Sequence, residues 1–353
     1  MTVYCGVDFH ARQQTISFCD TSNGEVQRCV LSHRREEVRA FYAQFQGEVI
    51  VGYECSGYSY WFEELLAELG HTGWAGDPAA IRRRAPRRQK NDRRDADLIL
   101  ELLLKGEFPQ VYRWNAESLA VLRQLRYRHK LVKLRTIVKN SLQAIAISGG
   151  LPLQRKVLTK SGRERLRALP LNPVVAAHRD EWLQLLETLD QRVAAMDTKL
   201  EQLAAADTQV QLLLSHPGIG TLTALCLRHT LGPVERFLNP RKVVGYVGLD
   251  PVEDSSAERF RMGNISKAGS LLLRYLLGEA GQTACRRDPD LKRFYQRLLK
   301  RRNRPKAKTA VARKLLVRGF IMLRDQIDYH EFTRRGVAAR SARVTHRPKV
   351  PAV

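Results

Sequence analysis

Along residues 15–19, apolar Ile16 and Phe18 alternate with polar neighbours, the period of a half-buried strand. Residues 3–7 and 26–31 carry further short apolar runs. The short links between the three runs predict antiparallel hairpins. The period then changes. Val38, Phe41, Tyr42 and Phe45 fall at helical spacing, and residues 49–53 form a continuous apolar run that suits a central buried strand. Residues 60–69 are amphipathic, residues 72–75 make a short strand, and the basic stretch IRRRAPRRQKNDRR leads into a helix over 92–104. The order predicted for residues 1–105 is β-β-β-α-β-α-β-α.

Residues 116–146 read as one long helix rich in Arg and Lys, with an apolar series running from Leu119 to Ile145 and a stop at Gly149, Gly150 and Pro152. Over 180–205, Trp182, Leu186, Leu189, Val193, Met196, Leu200 and Leu203 alternate by four and three residues. This is an a/d heptad seam that buries against another helix. Two partners are open: the helix over 116–146, as an intramolecular hairpin, or a second copy, as a dimerising coiled coil. Residues 212–330 predict a second, largely helical domain. It opens with HPGIGTLTA, where Pro217, Gly218 and Gly220 make a tight turn before a helix. That turn is either structural or a hairpin offering backbone N–H groups to DNA phosphates. The expected division is an α/β domain over 1–110, a helical connector and dimerisation region over 111–207, a mainly α domain over 208–333 and a basic tail over 334–353.

Charge narrows the function. The 353 residues include 60 Lys and Arg against 36 Asp and Glu, a formal net charge of +24. A chain this basic repels itself unless a polyanion neutralises it, and nucleic acid is the commonest such partner. No stretch of about 18 apolar residues exists to span a membrane, and the N-terminus reads as an immediate first strand, so a cytoplasmic, nucleoid-associated protein is expected. The six cysteines are scattered with no C-x-x-C pair, which argues for free thiols rather than zinc or disulfides.

Four carboxylates stand out. Asp8 ends the first strand, Glu54 ends the central strand, and Asp92 and Asp95 lie three apart at a helix start and so share a side. In the predicted order, strands one and four are neighbours, which places Asp8 beside Glu54. Converging carboxylates repel and raise one another's pKa, and divalent cations remove that penalty. Taken singly, each has a structural reading: an Asp at a strand end caps a turn, and Asp92 suits an N-cap. Asp97, two residues past Asp95, points elsewhere. Just ahead of the helix, Arg82, Arg83, Arg84, Arg87, Arg88, Lys90, Arg93 and Arg94 form a candidate phosphate track.

The segments VDFH, VGYECSG and KNDRRDADLI, followed by HPGIGTLTA, ERFLNPRKVVGYVGLDPVEDSS and GNISKAGSLLLRYLLGEA, resemble the DEDD transposases of insertion-sequence family one hundred and ten and the related Piv-type DNA invertases. The resemblance covers roughly residues 3–105 and 212–285. It implies a RuvC-like ribonuclease H fold with metal ligands at Asp8, Glu54, Asp92 and Asp95, holding Mg2+ as two ions, with Mn2+ able to substitute. It also implies a nucleophilic serine in the C-terminal domain. By position that is Ser256, with Ser255 as the alternate, because Ala257 replaces the family's usual glycine.

The resemblance further implies donor and target DNA, a non-coding guide RNA and a homodimer or homotetramer as partners. Lys267 and Arg274 would line the serine site. The basic cluster containing Arg301 and Arg302 would hold nucleic-acid backbone, and Tyr127 and Tyr295, beside basic residues, are either core residues or stacking platforms. The expected activity is DNA transposition by cutting and rejoining through a phosphoserine–DNA link. The competing readings are a metal-dependent nuclease or junction resolvase with an inert serine, and a non-catalytic nucleic-acid binder.

Overall fold

The computed structural model describes residues 2–57, 59–85, 92–151, 158–253 and 262–336. The chain divides into two compact units, Met1–Arg113 and Trp114–Val353. In the first, β1 (Thr2–Phe9), β2 (Gln13–Asp20), β3 (Val26–Ser32), β4 (Glu48–Glu54) and β5 (Thr72–Gly76) form one sheet in the order β3-β2-β1-β4-β5. The first three pair antiparallel, as their short links require, while β4 runs parallel to β1 and β5 parallel to β4. Strands one and four are therefore neighbours, as expected.

Alternation along β1 and β4 sends Val3, Cys5, Val7, Val49, Val51 and Tyr53 to one face. There they meet Val38 and Tyr42 of α1 (Arg35–Ala43) and Phe62, Leu65 and Leu66 of α2 (Tyr60–Glu68). The other face carries Tyr4 and Ile50 against Leu98, Ile99, Leu102 and Leu103 of α4 (Asp92–Leu104).

Helix α4 lies on that second face because two glycines leave room for it. A methyl group on Gly6 of β1 would stand 2.5 Å from the Ala96 carbonyl oxygen and collide with the Leu100 amide nitrogen. One on Gly52 of β4 would stand 2.8 Å from Leu103. Asp97, on a different side of α4, accepts from Ser17 Oγ of β2 at 2.6 Å and from Arg28 Nε of β3 at 2.8 Å, tying the helix to the antiparallel edge. One helix in this unit has no counterpart in the predicted order. It is α3 (Pro78–Arg84), whose N-cap Asp77 accepts from the amides of Ala79 and Ala80.

The second unit is largely helical. Helix α5 (Ala116–Ser148) and α7 (Pro173–Ala206), with α6 (Lys160–Arg167) between them in sequence, bury the heptad seam inside the chain. Leu186, Leu189 and Val193 pack with Leu131, Val138 and Leu142. Arg128–Asp197 and Arg135–Asp190 ion pairs bridge the two helices. Of the two partners open for the seam, the structure shows the intramolecular hairpin.

The chain continues through α8 (Thr208–Leu214), α9 (Thr221–Leu231), a short turn of 3-10 helix (Val234–Arg236) and α10 (Pro240–Val247). It then runs through β6 (Pro251–Glu253), β7 (Met262–Ile265), α11 (Leu271–Arg287), α12 (Pro289–Leu299) and α13 (Arg304–Arg324). In HPGIGTLTA, Gly218 at φ 113° packs its Cα against Ala284 of α11, so the turn has a structural role at that glycine. All six cysteines are free. Among the described residues no helix is long and apolar enough to cross a membrane.

Gly6→Ala is expected to lower stability by about 1–3 kcal/mol, because backbone on both sides must move to admit the methyl group. Gly278→Ala, in a helix with open space around it, should leave stability unchanged or raise it by up to about 1 kcal/mol. Thermal unfolding of the two variants checks this. Equal melting for Gly6→Ala and the parent would mean that the close approach of α4 to β1 is not required.

Candidate active site

Asp8 stands two residues beyond Gly6 on β1, and Glu54 two beyond Gly52 on β4. Both therefore take the face that α4 covers. The parallel register runs to the Val7–Tyr53 pair, and Asp8 and Glu54 are the next residues of each strand. Asp92 and Asp95 occupy the first turn of α4, where the helix dipole favours negative charge. Asp92 lies inside that first turn rather than in the capping position before it.

The tightest grouping includes a residue absent from the expected four. His10 Nε2 lies 3.0 Å from Asp8 Oδ2 and 3.5 Å from Asp92 Oδ1. Among the described residues, Asp8, His10 and Asp92 each offer a ligand atom within 4.8 Å of the others. Glu54 and Asp95 fall outside this closest cluster. Asp8 is only 6% exposed. Burial pushes its carboxyl above the ordinary Asp range, His10 draws it back down, and Asp95 and Asp92 push it up again. Asp95 is thus close enough to be felt by Asp8. The sequence signal for His10 is present in VDFH: two residues past Asp8, it follows the acid around the end of β1.

The end of β4 is held from the opposite side. Cys55 N donates to Gly76 O at 2.9 Å, and Arg113 donates to Cys55 Sγ at 3.1 Å while pairing with Glu63 of α2. Glu63 also accepts from Ser59 Oγ at 2.7 Å. This brace immediately follows Glu54 in sequence, and nothing in the residue pattern points to it.

The donor set suits a divalent cation. Carboxylate oxygens are hard ligands that hold Mg2+ or Mn2+, and an imidazole is better tolerated by Mn2+. Among the candidate phosphate contacts, Arg82, Arg83 and Arg84 close α3 and are exposed, and Arg93 is exposed on α4. Arg84 Nη1 also donates to Glu107 O at 2.5 Å, so part of its capacity is used within the fold. Arg87, Arg88 and Lys90 lie outside the described residues.

In the second unit, Ser255 and Ser256 lie outside the described residues, between β6 and β7 in sequence. The base of that segment is tightly built. Gly248 (φ 74°) and Gly269 (φ 67°) bring their Cα atoms against the backbone of Ala268 and of Tyr246. Ser266 Oγ donates to Asp250 Oδ1 at 2.5 Å. Arg274 uses part of its donor capacity on this base: its Nη1 donates to Val247 O at 2.9 Å and to Ala268 O. Lys267 is exposed with φ 57°. Arg301 and Arg302 are exposed just past α12.

The chain is similar to known transposases. A DEDD transposase model of the IS110 type matches residues 5–146, and a model described as "Transposase IS116/IS110/IS902 family" matches residues 210–296. The chain is 29% identical over 304 residues to a Pseudomonas aeruginosa protein named "Probable family 20 transposase", covering 81% of this chain and 87% of that one. It is 27% identical over 270 residues to the Coxiella burnetii transposase for insertion sequence element IS1111A, covering 74% and 73% of the two chains. It is 26% identical over 257 residues to the Yersinia enterocolitica transposase for insertion sequence element IS1328, covering 72% and 75%.

In EDTA, His10→Ala leaves Asp8 and Asp92 facing one another without the imidazole and should lower the melting temperature. Millimolar Mg2+ or Mn2+ should recover most of that difference. At about a hundredfold excess over Kd, a bound cation stabilises the parent by about 2.7 kcal/mol, and the double substitution Asp8→Asn with Asp92→Asn should abolish the rise. An equal metal-dependent rise in the double variant would take these side chains out of the metal site.

Proposed function

We propose that the chain, which two IS110-type family models match, is a transposase that cuts and rejoins DNA at a RuvC-like, DEDD-type metal site with a serine nucleophile. One observation carries the reading. Asp8, His10 and Asp92 converge within 4.8 Å at the end of a central strand, with Glu54 and Asp95 placed on the same side of the sheet. Repelling carboxylates gathered around a buried Asp8 have no evident structural purpose, whereas a cation would neutralise them.

Asp8, Glu54, Asp92 and Asp95 would hold two Mg2+ ions, with Mn2+ able to replace them. When bound, such ions polarise a phosphodiester and stabilise the oxygen that leaves it. Arg82, Arg83, Arg84, Arg87, Arg88, Lys90 and Arg93 would track the DNA backbone. Ser256 Oγ, or Ser255 Oγ in its place, forms a bond to the scissile phosphorus as a deoxyribose oxygen leaves and takes a proton. The resulting phosphoserine link keeps the bond energy that hydrolysis would discard, and the hydroxyl of a new strand then reverses the step. This economy is why a serine favours recombination over plain cutting. Donor and target DNA are the substrates, and a structured non-coding RNA pairs with both. The high positive charge supplies sequence-independent contacts to either nucleic acid. Several strands must be cut together, so the working form is a homodimer or homotetramer.

Incubation with cognate DNA and Mg2+ should give a covalent protein–DNA adduct that Ser256→Ala abolishes and Glu54→Gln suppresses by at least about a hundredfold. RNA sequencing of material co-purified with the protein should return one discrete structured species. Free DNA ends made equally by parent and Ser256→Ala would instead establish a nuclease. Unchanged activity in both Ser256→Ala and Ser255→Ala would end the serine mechanism.

A further inference from the structure

In the second unit, α11, α12 and α13 enclose a cavity of about 380 Å3 that none of the preceding chemistry uses. Its volume falls in the range of small-ligand pockets, about 300 Å3 upward. Arg286 comes from α11, Lys292 and Tyr295 from α12, and Lys308 from α13. Cys285 and Leu299 add apolar surface. Gly281 permits the close approach of α11 to α13: a methyl group there would meet Val311 at 3.3 Å.

The charge arrangement is lopsided. No Asp or Glu lines the cavity, and Arg286, Lys292 and Lys308, all exposed, have no carboxylate partner among the described residues. Other cations on these helices do find carboxylates. Arg293, Lys314 and Arg318 all pair with Asp290, and Arg318 also with Asp288. Carboxylates are thus available on the same helices, yet these three cations are left without one. The Tyr295 ring likewise has no ring or hydrogen-bond partner among the described residues, although Tyr246, Tyr275 and Tyr329 of the same unit each pack against another ring. The Cys285 thiol is pushed up by burial and stays un-ionised, so it serves as apolar wall.

An aromatic face beside unpaired cations and apolar wall matches an unstacked nucleotide: a flat base with an anionic phosphate on each side. We propose that this cavity receives one unstacked nucleotide of a single-stranded segment, its base against Tyr295 and its flanking phosphates on Arg286, Lys292 and Lys308. Single-stranded RNA and single-stranded DNA present the same base and phosphates, and the test separates them. The site depends on neither the metal nor the serine, so it stands or falls independently of the catalytic reading.

The test uses the full chain and oligonucleotides of about 12 residues, as RNA, as single-stranded DNA and as duplex DNA, read by fluorescence anisotropy. Tyr295→Leu should weaken single-strand binding about tenfold, the worth of one stacked base, and leave duplex binding unchanged. A larger loss on RNA identifies RNA as the source of the nucleotide, and a larger loss on DNA identifies a displaced strand. Tyr295→Phe keeps the ring and should retain the parent's affinity. Should Tyr295→Leu melt early, Lys292→Gln with Lys308→Gln provides the second reading: on a single strand, the slope of log affinity against log salt should fall by about 0.7 for each phosphate that no longer meets a cation. Parent-like single-strand affinity in a folded Tyr295→Leu variant, equal loss on single strand and duplex, or an unchanged salt slope in the lysine variant would overturn the proposal.

Discussion

The close approach of α4 to the centre of the sheet is the constraint from which the rest of the N-terminal unit follows. A helix normally rides on a layer of side chains, but at Gly6 the helix backbone meets the strand directly. Only glycine permits that contact, and the contact fixes where the first turn of α4 ends up. Asp92 and Asp95 are carried on that turn, and Asp8 lies one strand repeat beyond the glycine. The Asp97 contacts to Ser17 and Arg28 set the rotation of the helix about its axis, because Asp97 must face β2 and β3 while Asp92 faces Asp8. Position and rotation together leave the acidic side of α4 one orientation.

Such an arrangement is electrostatically expensive without a counter-charge. Asp8 is almost fully buried, and two further carboxylates act on it. Two things offset the cost here, the N-terminal dipole of α4 and the imidazole of His10, while the hydrogen-bonded brace of Arg113 and Glu63 just beyond Glu54 holds the strand end. The brace matters because a strand end with a charged residue would otherwise fray toward water. With Cys55 bonded to Gly76 and reached by Arg113, β4 keeps its register as far as Glu54.

Much of this is legible in the residue pattern, and the exceptions are instructive. The helix over 92–104 matches α4 from Asp92 to Leu104, and the neighbouring placement of strands one and four follows from three hairpin-linked strands and a crossover. Period and turn chemistry carry that kind of information. They do not carry depth. Gly6 and Gly52 read as ordinary members of apolar runs, and nothing local marks them as contact points. His10 follows the strand end, where a sequence gives no direction for a side chain. Helix α3 escapes the periodicity although Asp77-Pro78 is a strong start signal, because the arginines after it dominate the composition. For the heptad seam, spacing shows that a stripe is buried but not what buries it. The cross-helix ion pairs of Arg128 and Arg135 decide in favour of the α5–α7 hairpin. Arg274, which the sequence offers as a nucleic-acid contact, turns its Nη1 toward the backbone carbonyls of Val247 and Ala268.

The C-terminal unit meets the same problem of rigidity with different means. Arg318 joins Asp288 and Asp290, Tyr329 Oη donates to Asp288 Oδ2 at 2.9 Å, and His216 packs on the Tyr329 ring. Burial first, and then Arg318, push His216 down to about 4. The ring is therefore neutral at physiological pH and accepts from Arg318 Nη1 at 3.5 Å. Breaking one member of such a network leaves a buried charge without a partner, which costs more than the network's formation returns. Its value is therefore less in net stability than in fixing how α8, α12 and α13 meet. The left-handed glycines at 248 and 269 do for the base of the β6–β7 segment what Gly6 does for α4, setting backbone against backbone so that little freedom remains. In the first unit, Asp8 stands two residues beyond Gly6, a position where only glycine fits. Precision at such points comes from the absence of a side chain, which is why a search for reactive residues alone passes over them.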